Sequence, residues 1–144
     1  MEHYVIHTDG GARGNPGPAG SGAAVERMNG DQLELVIEVS EWLGETTNNV
    51  AEYKAVIFAL EAVKQHAKEI PVTVEVVLDS QLITEQMNGN YKVRNEGLKP
   101  LYQQVRHLVM ELGGVVSFRH VPRAENKHAD RLVNQAIDRG LERA

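Results

Sequence analysis

The sequence predicts an α/β fold, one mixed sheet with helices packed on its faces. Three observations lead there. Strand-like runs come first, the apolar period lengthens from two residues to about 3.6 at Asn49, and apolar strands then alternate with amphipathic helices. The order of three strands, helix, strand, helices, strand, helix is that of a single mixed sheet with helices on both sides.

Each element has its own local cause. Residues 3–9 alternate, with Tyr4, Ile6 and Thr8 on one face and Val5, His7 and Asp9 on the other, so they read as a strand carrying Asp9 near its end. The stretch from Gly10 to Gly20 cannot be helix, because Pro16 and Pro18 lack donors, and its glycines favour turns. Residues 20–28 and 32–44 form two antiparallel strands around the turn signal Asn29-Gly30. From Asn49, the residues Val50, Tyr53, Ala55, Val56, Ala59, Leu60, Val63 and Ala67 mark one helical face, and Pro71 closes the segment.

Residues 72–79 then read as a buried strand, and 80–89 as a short helix stopped by Gly89. A helix over 97–113 carries Pro100 in its first turn and Gly113 at its end. Residues 115–121 are the fifth strand, and 125–140 a last helix ended by Gly140. No repeat, linker or low-complexity tract interrupts the chain, and its 144 residues fit one domain spanning 1–144.

Composition excludes several classes. With no cysteine, disulfides, iron–sulfur clusters and thiolate zinc sites are ruled out, and a reducing compartment suits the chain. No apolar run approaches the roughly 20 residues of a membrane helix, and the N-terminus lacks a signal-peptide pattern, so the expectation is a cytoplasmic protein without a membrane partner. The net charge of −5 argues mildly against a general nucleic-acid binder, yet divalent cations in an acidic site would reverse the local field. The glycine-rich stretch lacks GKS or GKT and its prolines block a following helix, which excludes a P-loop or dinucleotide fingerprint. No Gly-x-Ser-x-Gly elbow is present, and His120 and His128 have no zinc spacing.

Four acidic residues stand in arranged contexts. Asp9 opens TDGGARGNPGPAG, Glu52 follows ETTNN, Asp79 ends VTVEVVLD and Asp130 lies in VPRAENKHADRLVNQA. Each has a plainer explanation. Asp9 suits a turn before glycine, and Glu52, three residues after the good N-cap Asn49, suits a capping box. Asp79 precedes Ser80, an N-cap for the next helix, and Asp130 suits a solvated helix surface. If folding brings the four together, their mutual repulsion requires protons or cations, and hard oxygen ligands select magnesium or manganese. Metal-assisted chemistry on a phosphate ester is the first hypothesis. His120, leaving the last strand beside this cluster, suits a proton shuttle.

TDGGARGNPGPAGSG, ETTNNVAEYKAVIFALE, VVLDSQLI and HVPRAENKHADRLVNQA, in this order and covering residues 3 to 138, resemble the type 1 ribonuclease H family. The resemblance implies a ribonuclease H-like fold with a five-stranded mixed sheet, and an endonuclease that hydrolyses the RNA strand of an RNA–DNA hybrid. It makes Asp9, Glu52, Asp79 and Asp130 the ligands of two Mg²⁺ ions, with Mn²⁺ a possible substitute. His120 takes a flexible-loop histidine position that aids proton transfer or product release, and Glu125 a loop acid that influences metal occupancy. Asn15, Asn48 and Gln81 match positions that reach the hybrid minor groove, where 2′-hydroxyls distinguish RNA. Thr47 and Asn49 match a pocket for a DNA-strand phosphate, and Ser80 a position near the DNA sugar.

The chain also departs from the family pattern. Arg119 and Pro122 stand where glycines are common around the loop histidine. The lysine- and tryptophan-rich protrusion of many members is replaced by MNGNYKVRNEGLKP, with only Lys92, Arg94 and Lys99, and no extra N-terminal hybrid-binding module is expected. Weaker hybrid binding follows. The alternatives are a catalytically weak or inactive nucleic-acid-binding domain of the same fold, or a nuclease of that fold acting on structured DNA. A monomer is the default.

Overall fold

A computed structural model describes residues 1–143, so Ala144 of the expected 1–144 domain lies outside the described residues. Five strands, β1 (His3–Ala12), β2 (Gly17–Asn29), β3 (Gln32–Thr46), β4 (Thr73–Leu78) and β5 (Val115–His120), make one sheet in the order β3-β2-β1-β4-β5. β1, β2 and β3 run antiparallel in sequence, whereas β4 is parallel to β1 and β5 parallel to β4. The expected five-stranded mixed sheet is the one observed. Helices α1 (Asn48–His66), α2 (Gln81–Met87), α3 (Lys99–Glu111) and α4 (Lys127–Arg143), with a 3₁₀ turn at Arg123–Glu125, complete the chain. No described helix is long and apolar enough to cross a membrane.

The two sheet faces are covered unequally. α1 lies on the face that receives Tyr4, Ile6, Ala23 and Val25, and α3 packs against α1. α1 therefore buries residues on more than one side, among them Ala51, Tyr53, Ile57 and Leu60. The opposite face receives α4, whose Ala129, Leu132, Val133, Ala136 and Ile137 are buried over β2, β1 and β3.

The glycine-rich stretch is strand rather than turn for most of its length. β1 continues to Ala12 and β2 begins at Gly17, leaving a short connection closed by the Arg13 amide donating to the Pro18 carbonyl at 2.8 Å. The reason is close packing. A Cβ on Gly22 would stand 2.6 Å from the Ala129 carbonyl, and one on Gly10 would sit inside the backbone of Ala51 and Glu52. Glycine here lets a helix rest directly on the sheet from each side.

Helix boundaries also differ from expectation, among them the cap of α1 and the end of α4. Thr47, not Asn49, caps α1, its hydroxyl accepting from the Val50 amide at 3.3 Å. Glu52 is then five positions past the cap and outside any capping box, which reaches only the third. Gly140 does not end the last helix, which runs on to Arg143. A Cβ at Gly140 would overlap the Trp42 indole, so this glycine seats α4 on β3. By contrast, Ser80 caps α2 as expected, accepting from the Ile83 amide at 3.3 Å, and Gly89 follows with φ +79°.

Candidate active site

Sheet register brings two acidic positions together. His7 of β1 stands opposite Val77 of β4 as the last pair of their ladder, and Asp9 and Asp79 each lie two residues beyond it. Asp9 belongs to the set of β1 positions that faces α4, whose first turn carries Asp130. Glu52 arrives from the other side of the sheet. The bare backbone of Gly10 lets the first turns of α1 lean over β1, and Glu52 reaches round it. One carboxylate oxygen each from Asp9, Glu52 and Asp79 lies within 4.8 Å of the others. Asp130 stands outside that triad but lines the same cleft of about 260 Å³ as Asp9 and Glu52.

The electrostatics follow from burial. Asp9 and Glu52 are 3% and 8% exposed. Burial first, then the charges of Asp79 and Asp130, pushes the Asp9 carboxyl up to about 7, with the Gly10 amide acting in the opposite sense. Burial, then the charges of Asp9 and Asp79, holds Glu52 well above the usual carboxylate range. Glu52 Oε2 is buried with no hydrogen-bond partner. A buried acceptor without a donor, facing two further carboxylates, fits a cation. The donor set is entirely hard oxygen, so the cluster is consistent with a divalent-metal site of the magnesium or manganese kind.

His120 is the last residue of β5 rather than part of a loop. Its Nε2 lies 3.2 Å from the Asp79 carbonyl, and since a carbonyl only accepts, Nε2 donates and Nδ1 is left as the free acceptor. Arg119 is likewise on β5, paired with Glu75 of β4 at 2.9 Å, so the departure at this position adds a cross-strand ion pair. Glu125 ends the 3₁₀ turn and is exposed, apart from the triad.

Of the expected substrate positions, Asn48 lines the cleft itself. Asn15 and Asn48 are linked, the Asn48 amide donating to Asn15 Oδ1 at 3.0 Å, and Asn48 Oδ1 accepts from the Ala12 amide at 2.8 Å. These contacts fix the β1–β2 connection against the start of α1, where Thr47 and Asn49 also stand. Ser80 is committed to capping α2, and Gln81 is exposed on its first turn.

Sequence reasoning missed two residues. Arg123 lines the acidic cleft and, among the described residues, makes no ion pair, whereas Arg13 in the same cleft is held by Asp138 at 2.8 Å and by Asn134 at 3.1 Å. Asn126 is 1% exposed and donates to both the Thr8 carbonyl, at 2.8 Å, and Asp79 Oδ2, at 3.2 Å. No local signal marked Asn126, because both of its partners are distant in sequence.

Comparison with known proteins agrees with this geometry. Residues 7–136 match a family model described as "Reverse transcriptase-like". A bifunctional protein of Mycobacterium tuberculosis is 43% identical over 141 residues, covering 97% of this chain but 37% of that protein, so the chain spans little more than a third of its mycobacterial relatives. A ribonuclease H of Paracidovorax citrulli is 37% identical over 159 residues and covered in full by a match to all of this chain. The crystal structure of LC11-RNase H1 in complex with RNA/DNA hybrid superposes with a TM-score of 0.88 at 46% identity, covering 96% of this chain and 99% of that one.

Proposed function

The chain belongs to the type 1 ribonuclease H family, and we propose from that premise that it is an endonuclease hydrolysing the RNA strand of RNA–DNA hybrids. The observation that carries the reading is the convergence of Asp9, Glu52 and Asp79 within 4.8 Å, just beyond the last β1–β4 pair. The similarity to LC11-RNase H1, whose structure holds an RNA/DNA hybrid, supports the substrate class. Residues 1–144 act as a single domain and a monomer in this proposal, and a cysteine-free chain suits a cytoplasmic setting.

Asp9, Glu52, Asp79 and Asp130 would hold two Mg²⁺ ions, with Mn²⁺ able to replace them. Bound there, the ions would supply an activated water and stabilisation of the leaving 3′-oxygen, the chemistry that leaves 5′-phosphate and 3′-hydroxyl ends. The side chains do the rest. His120 offers Nδ1 as an acceptor at the rim of the cluster, a position from which it carries a proton away or assists product departure. Asn15, Asn48 and Gln81 present amides to the minor groove, where 2′-hydroxyls mark the RNA strand. Thr47 and Asn49 lie at the N-terminus of the 19-residue α1, whose dipole favours a DNA-strand phosphate. Ser80 stands beside Gln81 for the adjoining sugar.

The test is incubation of an end-labelled RNA–DNA hybrid with the chain in Mg²⁺ or Mn²⁺, beside Asp9→Asn. Cleavage of the RNA strand by the wild type alone is expected. Absence of cleavage with either ion would sink the enzyme reading, and preference for duplex DNA would place the chain among nucleases of another specificity.

A further inference from the structure

We propose that Asn126 is a positioning residue that sets the Asp79 carboxylate for cation binding, an inference that rests on reading the acidic cluster as a divalent-cation site. Asn126 lies between the 3₁₀ turn and α4, and its side chain reaches back across the sheet. It donates to the Thr8 carbonyl at 2.8 Å and to Asp79 Oδ2 at 3.2 Å. Both partners only accept, so the amide nitrogen with its two hydrogens must face them.

The contact matters because of where Asp79 lies. β4 ends at Leu78, so Asp79 has left the ladder that would hold its backbone. Among the described residues, Asn126 makes the one side-chain hydrogen bond to its carboxylate. Asn126 is also tied to the rest of the cluster. Thr8 is the residue before Asp9 on β1, and the Asn126 carbonyl accepts from the Asp130 amide at 3.1 Å. A single asparagine thus touches Asp79 directly, Asp9 through the adjoining peptide and Asp130 through its own amide. Its Oδ1 is buried with no partner, so the donor half of the amide alone holds it in place.

Groups that orient metal ligands typically change metal affinity by about 10- to 100-fold when removed. The experiment is calorimetric titration of the full chain with Mn²⁺, comparing wild type, Asn126→Ala and Asn126→Asp. Asn126→Asp is nearly isosteric and turns an acceptor toward two acceptors without opening a cavity; the charge it adds attracts cations, so weaker binding reports the lost donor. Val105→Ala, in the core between α1 and α3 and away from the cluster, serves as a control that lowers thermal stability alone. Both Asn126 variants are expected to bind Mn²⁺ about tenfold or more weakly, with the control unchanged. Variants within about twofold of a Mn²⁺-binding wild type would overturn this inference alone. A wild type that takes up no Mn²⁺ would overturn the metal reading and the inference together. Should Asn126→Ala fail to fold, Asn126→Asp decides the matter.

Discussion

Gly10 of β1 and Glu52 of α1 are in backbone contact: a Cβ on Gly10 would occupy the space of the Glu52 amide. The approach is what carries a carboxylate from α1, on one face, to Asp9, which points to the other. Gly10→Ala therefore has to push α1 away from β1. Overpacking against backbone costs about 1–3 kcal/mol, measurable by urea unfolding. The same displacement withdraws Glu52 from the triad, so Mn²⁺ affinity falls alongside stability. A variant with unchanged Mn²⁺ affinity would show that Glu52 reaches the cluster independently of this packing.

Asp9 makes the metal-free protein sensitive to pH in a defined direction. Its folded pKa, pushed up to about 7 from 3.8, means that the folded chain holds the proton more tightly than the unfolded chain. Stability from this group is full below pH 3.8 and is lost as pH rises toward 7. Burial lowers the pKa of His7 below 6.5, and this acts with the opposite sign as pH rises through the range just below that value. The clean measurement is therefore a difference. In EDTA, Asp9→Asn should raise the melting temperature over wild type at pH 8 and much less at pH 4. An equal gain at both values would mean that the carboxyl is not the source.

Glu52→Gln separates stability from function in the same cluster. Glu52 Oε2 is buried without a donor beside two like charges, so a neutral amide removes repulsion and brings two donors. The variant should be more stable than wild type in EDTA by about 1 kcal/mol, the scale of one net buried hydrogen bond. Added Mg²⁺ should no longer raise its melting temperature, and hybrid cleavage should be lost. A variant less stable in EDTA would contradict the repulsion argument.

What was legible in the sequence was periodicity and its punctuation. The alternation of Tyr4, Ile6 and Thr8 and the helical spacing of Tyr53, Val56, Leu60 and Val63 depend on local geometry, so strands and helices emerged in the right order. The acidic residues at the ends of β1 and β4 were legible for the same reason. Glycines were misread because their use here is not local. Gly10 and Gly140 look like a turn former and a helix stop along the chain, and only a helix packed on each shows its purpose. Asn126 was invisible because its partners, Thr8 and Asp79, are 118 and 47 residues away.

His120 offers a graded prediction, since it touches the cluster through a backbone carbonyl rather than a carboxylate. Its Nε2–H is spent on the Asp79 carbonyl, which fixes the ring and leaves Nδ1 of the neutral ring as the proton acceptor. Removing the ring leaves the acidic triad intact, so His120→Ala should slow turnover by about 10²-fold, the lower range for a positioned proton-transfer group, without abolishing it. Mn²⁺ affinity should stay near the wild-type value. Because the missing function is proton carriage in an exposed position, added imidazole should restore part of the rate to His120→Ala and none to Asp9→Asn. A His120→Ala rate as low as that of Asp9→Asn, with no imidazole rescue, would instead make the ring part of the architecture that holds Asp79.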